Sequence, residues 1–367
     1  MKRLILRLIV PACLAGFGVT TVSQQLSVAD SREQAASPWK PRPHPRGYVC
    51  YRATKPPAID GKLDDPAWQT APWSEPFVDI EAKPKPPLRT RMNMLCDDSH
   101  LYIGAELEEP HVWATIKQHD AVIFQDNDFE VFIDPDGGSH AYAELEINAL
   151  NTTWDLLLTM PYKDNGLAVN GWEIGGLRTA VHVDGTLNDP RDKDKGWSVD
   201  MAIPWGALTE LTHNNKSPRD GDQWRINFSR VEWQHEVVDG HYQKVPKKAE
   251  NNWVWSPQGV IDMHRPETWG YVQFSTAEPG KATFIPDPAW PAKEVLHRIY
   301  YAQRDYREKY KRWAKDLTEL GLVDFKHESL AAPPEMDVAG ELFDVRVKTK
   351  KDGKRWHIRS DAKVWAE

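Results

Sequence analysis

The sequence predicts an all-β protein: an antiparallel β-sandwich with a C-terminal long helix and a small β-hairpin appendage. Three observations predict it. Apolar residues recur with period two in short segments from Gly47 to Thr276. Turn-forming pairs separate those segments. After a proline-rich connector the apolar period lengthens to three and four.

The strand segments follow in order. Tyr48–Ala53, Arg91–Cys96, Leu101–Leu107, Phe129–Asp134 and Tyr142–Ala149 alternate or form short apolar runs. Trp197, Val199, Met201 and Ile203 alternate cleanly, as do Trp224, Ile226 and Phe228. Val272 and Phe274 alternate with Tyr271 and Gln273. Asp60-Gly61, Asp97-Asp98, Asp136-Gly137-Gly138 and Asp184-Gly185 supply the turns. The connector spans 277–291. Beyond it, Val295, Ile299, Ala302, Tyr306, Tyr310, Trp313, Leu317 and Leu320 trace one face of a long helix, with Gly321 as its stop. Leu342–Lys348 and Arg355–Val364 then read as a hairpin around Asp352-Gly353. The C-terminal unit is therefore expected over 292–367, its helix docking on the sandwich or on a partner.

The chain of 367 residues begins with an expected signal peptide, 1–29: Lys2 and Arg3, then a mostly apolar stretch, then Ser27-Val28-Ala29 before Asp30. Arg7 and Pro11 make that stretch a poor membrane span, so a membrane is reached only through lipidation at Cys13. Residues 30–46 are polar and proline-rich and are expected to be a disordered leader. The expected location is exported: periplasmic, secreted or cell-surface. A net charge of −8 without a long basic run argues against nucleic acid as a partner. In an exported chain Cys50 and Cys96 are a candidate disulfide, with two buried thiols as the alternative.

Several segments, taken in order, resemble carbohydrate-binding module family 9. Ile59 to Trp68 (IDGKLDDPAW) resembles its opening motif, and Asp97 to Ile103 its turn and second strand. Asp126 to Asp134 (DNDFEVFID) resembles its central acidic strand, Gly196 to Trp205 its later strand and helix start, and Trp269 to Val272 its closing strand. The likeness covers about Tyr48 to Thr276, and the domain is expected over 47–276. It implies a sandwich of jelly-roll or immunoglobulin-like type that binds polysaccharide or oligosaccharide of the glucan or xylan class in carbohydrate catabolism, with calcium as a possible stabiliser.

The resemblance also implies site residues. Glu130 matches the strand glutamate, and the two clamp tryptophans fall at Phe124 and at Met263, with His264 beside it. The sugar-binding arginine falls near Glu146, a reversed charge. Asn148 offers an amide for sugar hydroxyls. Among 17 tryptophans, Trp253 and Trp255 lie two apart and would share a strand face on which a sugar stacks. Asp126, Asp128 and Glu130 alternate, so on a strand their carboxylates share a face; Asp126 and Asp128 are expected to hold calcium. Three other classes compete. Glu130 with Glu144 or Glu146 would make a glycosidase acid pair. Met263 or His264 would serve as a haem ligand. The C-terminal unit would give an envelope protein its docking element.

Overall fold

The structure, a computed structural model, describes residues 42–322 and 325–367. The expected signal peptide, Cys13 and the leader up to residue 41 lie outside the described residues. In chain order the strands are β1 (Gly47–Arg52), β2 (Val78–Asp79), β3 (Thr90–Cys96), β4 (His100–Glu108), β5 (Asp128–Asp134), β6 (Tyr142–Asn148), β7 (Thr153–Leu158), β8 (Ala168–Val169), β9 (Arg178–Asp184) and β10 (Gly196–Pro204). The short helix α1 (Trp205–Thr209) precedes β11 (Gln223–Glu232), β12 (His235–Val238), β13 (His241–Lys244), β14 (Asn251–Val254) and β15 (Gly270–Ser275). Helix α2 (Trp290–Tyr310) leads into β16 (Glu335–Ala339), β17 (Leu342–Lys348), β18 (Arg355–Arg359) and β19 (Val364–Ala366).

One sheet curls to form both layers. Its order is β8-β7-β6-β5-β11-β15-β1-β3-β4-β10-β9, and β14 and β2 extend it from β11. The inward residues of β5, β6 and β11 (Phe129, Val131, Ile133, Leu145, Ile147, Ile226, Phe228) share a core with those of β3, β4 and β10 (Met92, Met94, Leu101, Ile103, Val199, Met201, Ile203). Period two therefore marks the core face, as β-branched and aromatic residues on a pleated ribbon require. The jelly-roll or immunoglobulin-like expectation reduces to this coarser statement: a mostly-β, sandwich-like fold of curled sheet. The expected purely antiparallel pairing is corrected at β1, which runs parallel to both β15 and β3.

The seam at β1 is where the two halves join, and β1 pairs with β3 through only two residues. Cys50 and Cys96 flank it as buried free thiols whose side chains approach within hydrogen-bonding reach.

The C-terminal unit differs from expectation in two ways. Helix α2 ends at Tyr310 rather than near Gly321, because Lys311 adopts a left-handed conformation with φ of 57°. The chain then folds back: both groups of the Gln303 amide bond Ala314, and Trp313 packs edge-on against Phe343. The expected hairpin around Asp352-Gly353 is present as β17–β18, but it sits inside a four-stranded antiparallel sheet, β16 to β19. Val295, Leu296, Ile299 and Tyr300 of α2 cover that sheet. The same helix touches the sandwich, where Tyr300 and Arg304 bond Asp164 and Tyr301 bonds Glu267.

Trp255 lies fully in the inter-layer core, and Gly270 is the residue that admits it: a Cβ there would sit 2.1 Å from a Trp255 ring carbon. Gly270→Ala is expected to destabilise the chain by about 1–3 kcal/mol through overpacking. Paired with Trp255→Phe, it should cost less than the sum of the two single changes. Urea unfolding of the three variants checks both statements.

Candidate functional site

Strands β5 and β6 carry the site. Asp128, Glu130, Phe132 and Asp134 alternate with the core residues of β5. The antiparallel register sets Asp128 opposite Asn148, Glu130 opposite Glu146, and Phe132 opposite Glu144. Four acids, Asp128, Glu130, Glu144 and Glu146, thus lie together on the outer face of the sheet, with Asp134 at the far end of β5. On the neighbouring strands Ser229 lies opposite Glu130, and Trp154 lies opposite Glu146.

That face is not open to solvent. None of the four acids is more than 5% exposed. Ile123, Val254, Met263 and Trp269 close over it in a second apolar cluster with Phe132, Tyr142, Trp154 and Leu156. Burial, reinforced by the neighbouring carboxylates, pushes the acids of Asp128, Glu144 and Glu146 well above the usual carboxylate range. Burial pushes Glu130 up to about 7, against the Ser229 hydroxyl beside it. The charges that act most strongly on them are those of other acids. Asp128 Oδ2 and Glu130 Oε2 have no hydrogen-bond partner. Glu146 Oε2 accepts the Phe124 N–H at 2.8 Å.

The rim of this face is aromatic. Phe124 is half-buried in the single turn Ile123–Gln125 that precedes β5. Tyr162 is 47% exposed and meets the His264 ring edge-on at 4.5 Å. Burial, and after it the charge of Glu144 and Glu146, raises the pKa of the Tyr162 hydroxyl. His264 Nδ1 shares a 2.9 Å hydrogen bond with the Tyr142 hydroxyl.

The structure brings Phe124, Glu130, Glu146, Met263, His264 and Asp128 to one region and reassigns the rest. Asp126 is not a metal ligand. It precedes the strand, and its carboxylate is consumed by the Thr115 N–H and hydroxyl, the Ile116 N–H and the Asn148 amide. Asn148 is not free for sugar: its amide also bonds the Ile116 carbonyl, and its oxygen accepts Leu150 and Thr152 N–H groups. Trp253 and Trp255 are 4% and 2% exposed and face the core, because β14 is an inner strand between β11 and β2. Met263, at 9% exposure, packs in the cluster over the acids rather than flanking an open slot.

Sequence reasoning missed Tyr162, Ser229 and Trp233. Pro161 marks the turn that presents Tyr162, and period two on β11 places Ser229 on the outer face; Trp233 follows the last strand residue. Trp233 lines a cleft of about 550 Å³ with Asp79, Glu232, His235, Asn251 and Trp253. Its Nε1 donates to the Phe124 carbonyl, and Lys244 Nζ lies 3.9 Å from its ring centre.

The sequence profile of the family described as "Carbohydrate family 9 binding domain-like" matches residues 59–254. The chain belongs to this family. A comparison with curated proteins finds no match. Among solved structures, a family 9 carbohydrate-binding module from Caldicellulosiruptor kristjanssonii in complex with cellotriose is similar, at 15% identity over 66% of this chain and 100% of that one, with a TM-score of 0.42. The module with glucose gives 16% identity over 64% and 100%, with a TM-score of 0.41. A Bacteroides uniformis protein gives 16% identity over 63% and 100%, with a TM-score of 0.47. The profile match covers the family 9 domain up to β14, including both acid-bearing strands and the Tyr162 turn.

Burial holds the His264 imidazole neutral, its pKa lowered from 6.5 to about 4. The unfolded chain takes up a proton near the ordinary value and the folded chain does not. The contribution of neutral His264 is complete above pH 6.5 and is lost as pH falls towards 4, by about 1.4 kcal/mol per pH unit. The stability gap between the protein and a His264→Gln variant should therefore narrow on acidification. Urea midpoints at pH 7 and pH 5 check this, and a constant gap would contradict it.

Proposed function

We propose that this family 9 protein is an exported sugar binder that takes the end of a glucan or xylan chain at the Phe124–Tyr162 rim, in carbohydrate catabolism. The observation that supports this reading most is the pairing of an aromatic rim with acid acceptors in a chain of this family. Sugar rings offer apolar C–H faces and a fringe of hydroxyls. Phe124 and Tyr162 suit the first, and the acids of Glu130, Glu144 and Glu146, which are covered in the free chain, suit the second once the sugar displaces that cover. The relatives solved with cellotriose and glucose support the sugar class, as properties of those proteins. Tyr162 takes over the second clamp position, since Met263 is covered.

Calorimetric titration with cello- and xylo-oligosaccharides tests the proposal, with borohydride-reduced forms run alongside. Binding is expected for the native chain end and is expected to be lost on reduction. Phe124→Ala and Tyr162→Ala should each weaken it roughly three- to tenfold, the size of one stacking contact. Binding that survives reduction and both substitutions would move the sugar to the cleft beside Trp233. No binding to either series would overturn the glucan/xylan reading.

A further inference from the structure

We infer that Asp128, Glu130 and Glu146 hold one hard divalent cation of calcium size, with the Ser229 hydroxyl as a neutral oxygen beside them. One oxygen from each of the three acids lies within 4.8 Å of the other two. All three side chains are out of water, and two of the oxygens, Asp128 Oδ2 and Glu130 Oε2, are unpartnered.

A second observation comes from the neighbouring strand. Ser229 is fully buried, its register places it opposite Glu130 on the same face, and its hydroxyl lies beside the Glu130 carboxylate. A cation bound among the three acids gives that hydroxyl oxygen a role as a donor.

The donor chemistry and the burial narrow the ion. Carboxylate and hydroxyl oxygens suit hard cations. Magnesium dehydrates reluctantly and usually keeps several waters, which a face withdrawn from solvent does not supply, so the site favours calcium. The inference corrects the ligand set expected from sequence, since Asp128 stays while Asp126 gives way to Glu130 and Glu146. It shares Glu130 and Glu146 with the sugar proposal but uses none of its observations, and calcium is titrated without sugar so that the two fail separately. A second grouping, His119, Asp120 and Asp155, is the competitor, and it is partly solvent-exposed.

The test uses the full chain, stripped with chelator and held at pH 7.5. Calcium is titrated by calorimetry, and terbium by luminescence excited through tryptophan, Trp154 being the cross-strand neighbour of Glu146. One equivalent should bind, and calcium in hundredfold excess over its Kd should raise the melting temperature by several degrees. Magnesium should bind at least tenfold more weakly. Asp128→Asn, Glu130→Gln and Glu146→Gln should each weaken calcium binding tenfold or more. These amides match the protonated acids in shape, so folding should survive, and the terbium titration of the unmutated chain decides the matter if one does not. Absence of saturable binding would overturn the inference. So would full affinity in Glu146→Gln together with loss in Asp155→Asn, and magnesium binding as tight as calcium would overturn the size assignment.

Discussion

The structure around the site depends on one constraint: several carboxylates share a sheet face that the chain has withdrawn from water. A carboxylate on the outer face of a strand is ordinarily solvated at no cost. Here two loops cover that face, and each is fixed by bonds of its own. Asp126 ties the loop at Thr115 and Ile116 to Asn148, and the Trp269 indole donates to the Met263 carbonyl at 2.8 Å. Of the covered acids, Glu146 adds one bond to the first loop by accepting the Phe124 N–H. The acids are left to reduce their charge by other means, through protons or through a shared partner, because an isolated buried carboxylate is several kcal/mol unfavourable.

Much of the sandwich was legible because side-chain alternation records which face of a strand is apolar. Met92, Met94, Val199, Met201, Ile226 and Phe228 all point where period two put them. Alternation carries no information on which strands are neighbours, so the parallel pairing of β1 with β15 and β3 could not be read from it. The end of α2 failed for a related reason. Trp313 and Leu317 continue the helical spacing, and they are apolar because they pack back on the appendage after the reversal at Lys311. A buried face after a turn and a buried face along a helix leave the same pattern.

The placement of Asp128 and Glu130 on one face was legible, because alternation and the strand register agree there. The site was not legible at Asp126, because a carboxylate that clamps a loop and one that binds a ligand look alike in sequence. Glu146 was marked by its reversed charge, and what the sequence withheld was the depth of its burial. Spacing by two put Trp253 and Trp255 on a common face correctly, but it could not show that this face is the core.

The C-terminal unit bears on the site although it contributes no group to it. Tyr162 stands on a one-turn helix, Tyr162–Asp164, and the far end of that turn is gripped by α2: Arg304 donates to the Lys163 carbonyl at 2.8 Å and to Asp164 at 2.6 Å, and Tyr300 also bonds Asp164. Lys163 in turn donates to the His264 carbonyl at 3.3 Å, and Tyr301 holds Glu267 three residues on. Both segments of the rim that face each other, the Tyr162 turn and the His264 loop, are therefore anchored to the same helix. An aromatic ring that is half exposed loses less freedom on binding when its backbone is already fixed, which lowers the entropic cost of a stacking contact. The helix also ties the rim to the folding of its own sheet. The appendage and the outer face of the sandwich accordingly behave as one structural element, with α2 as the strut between them.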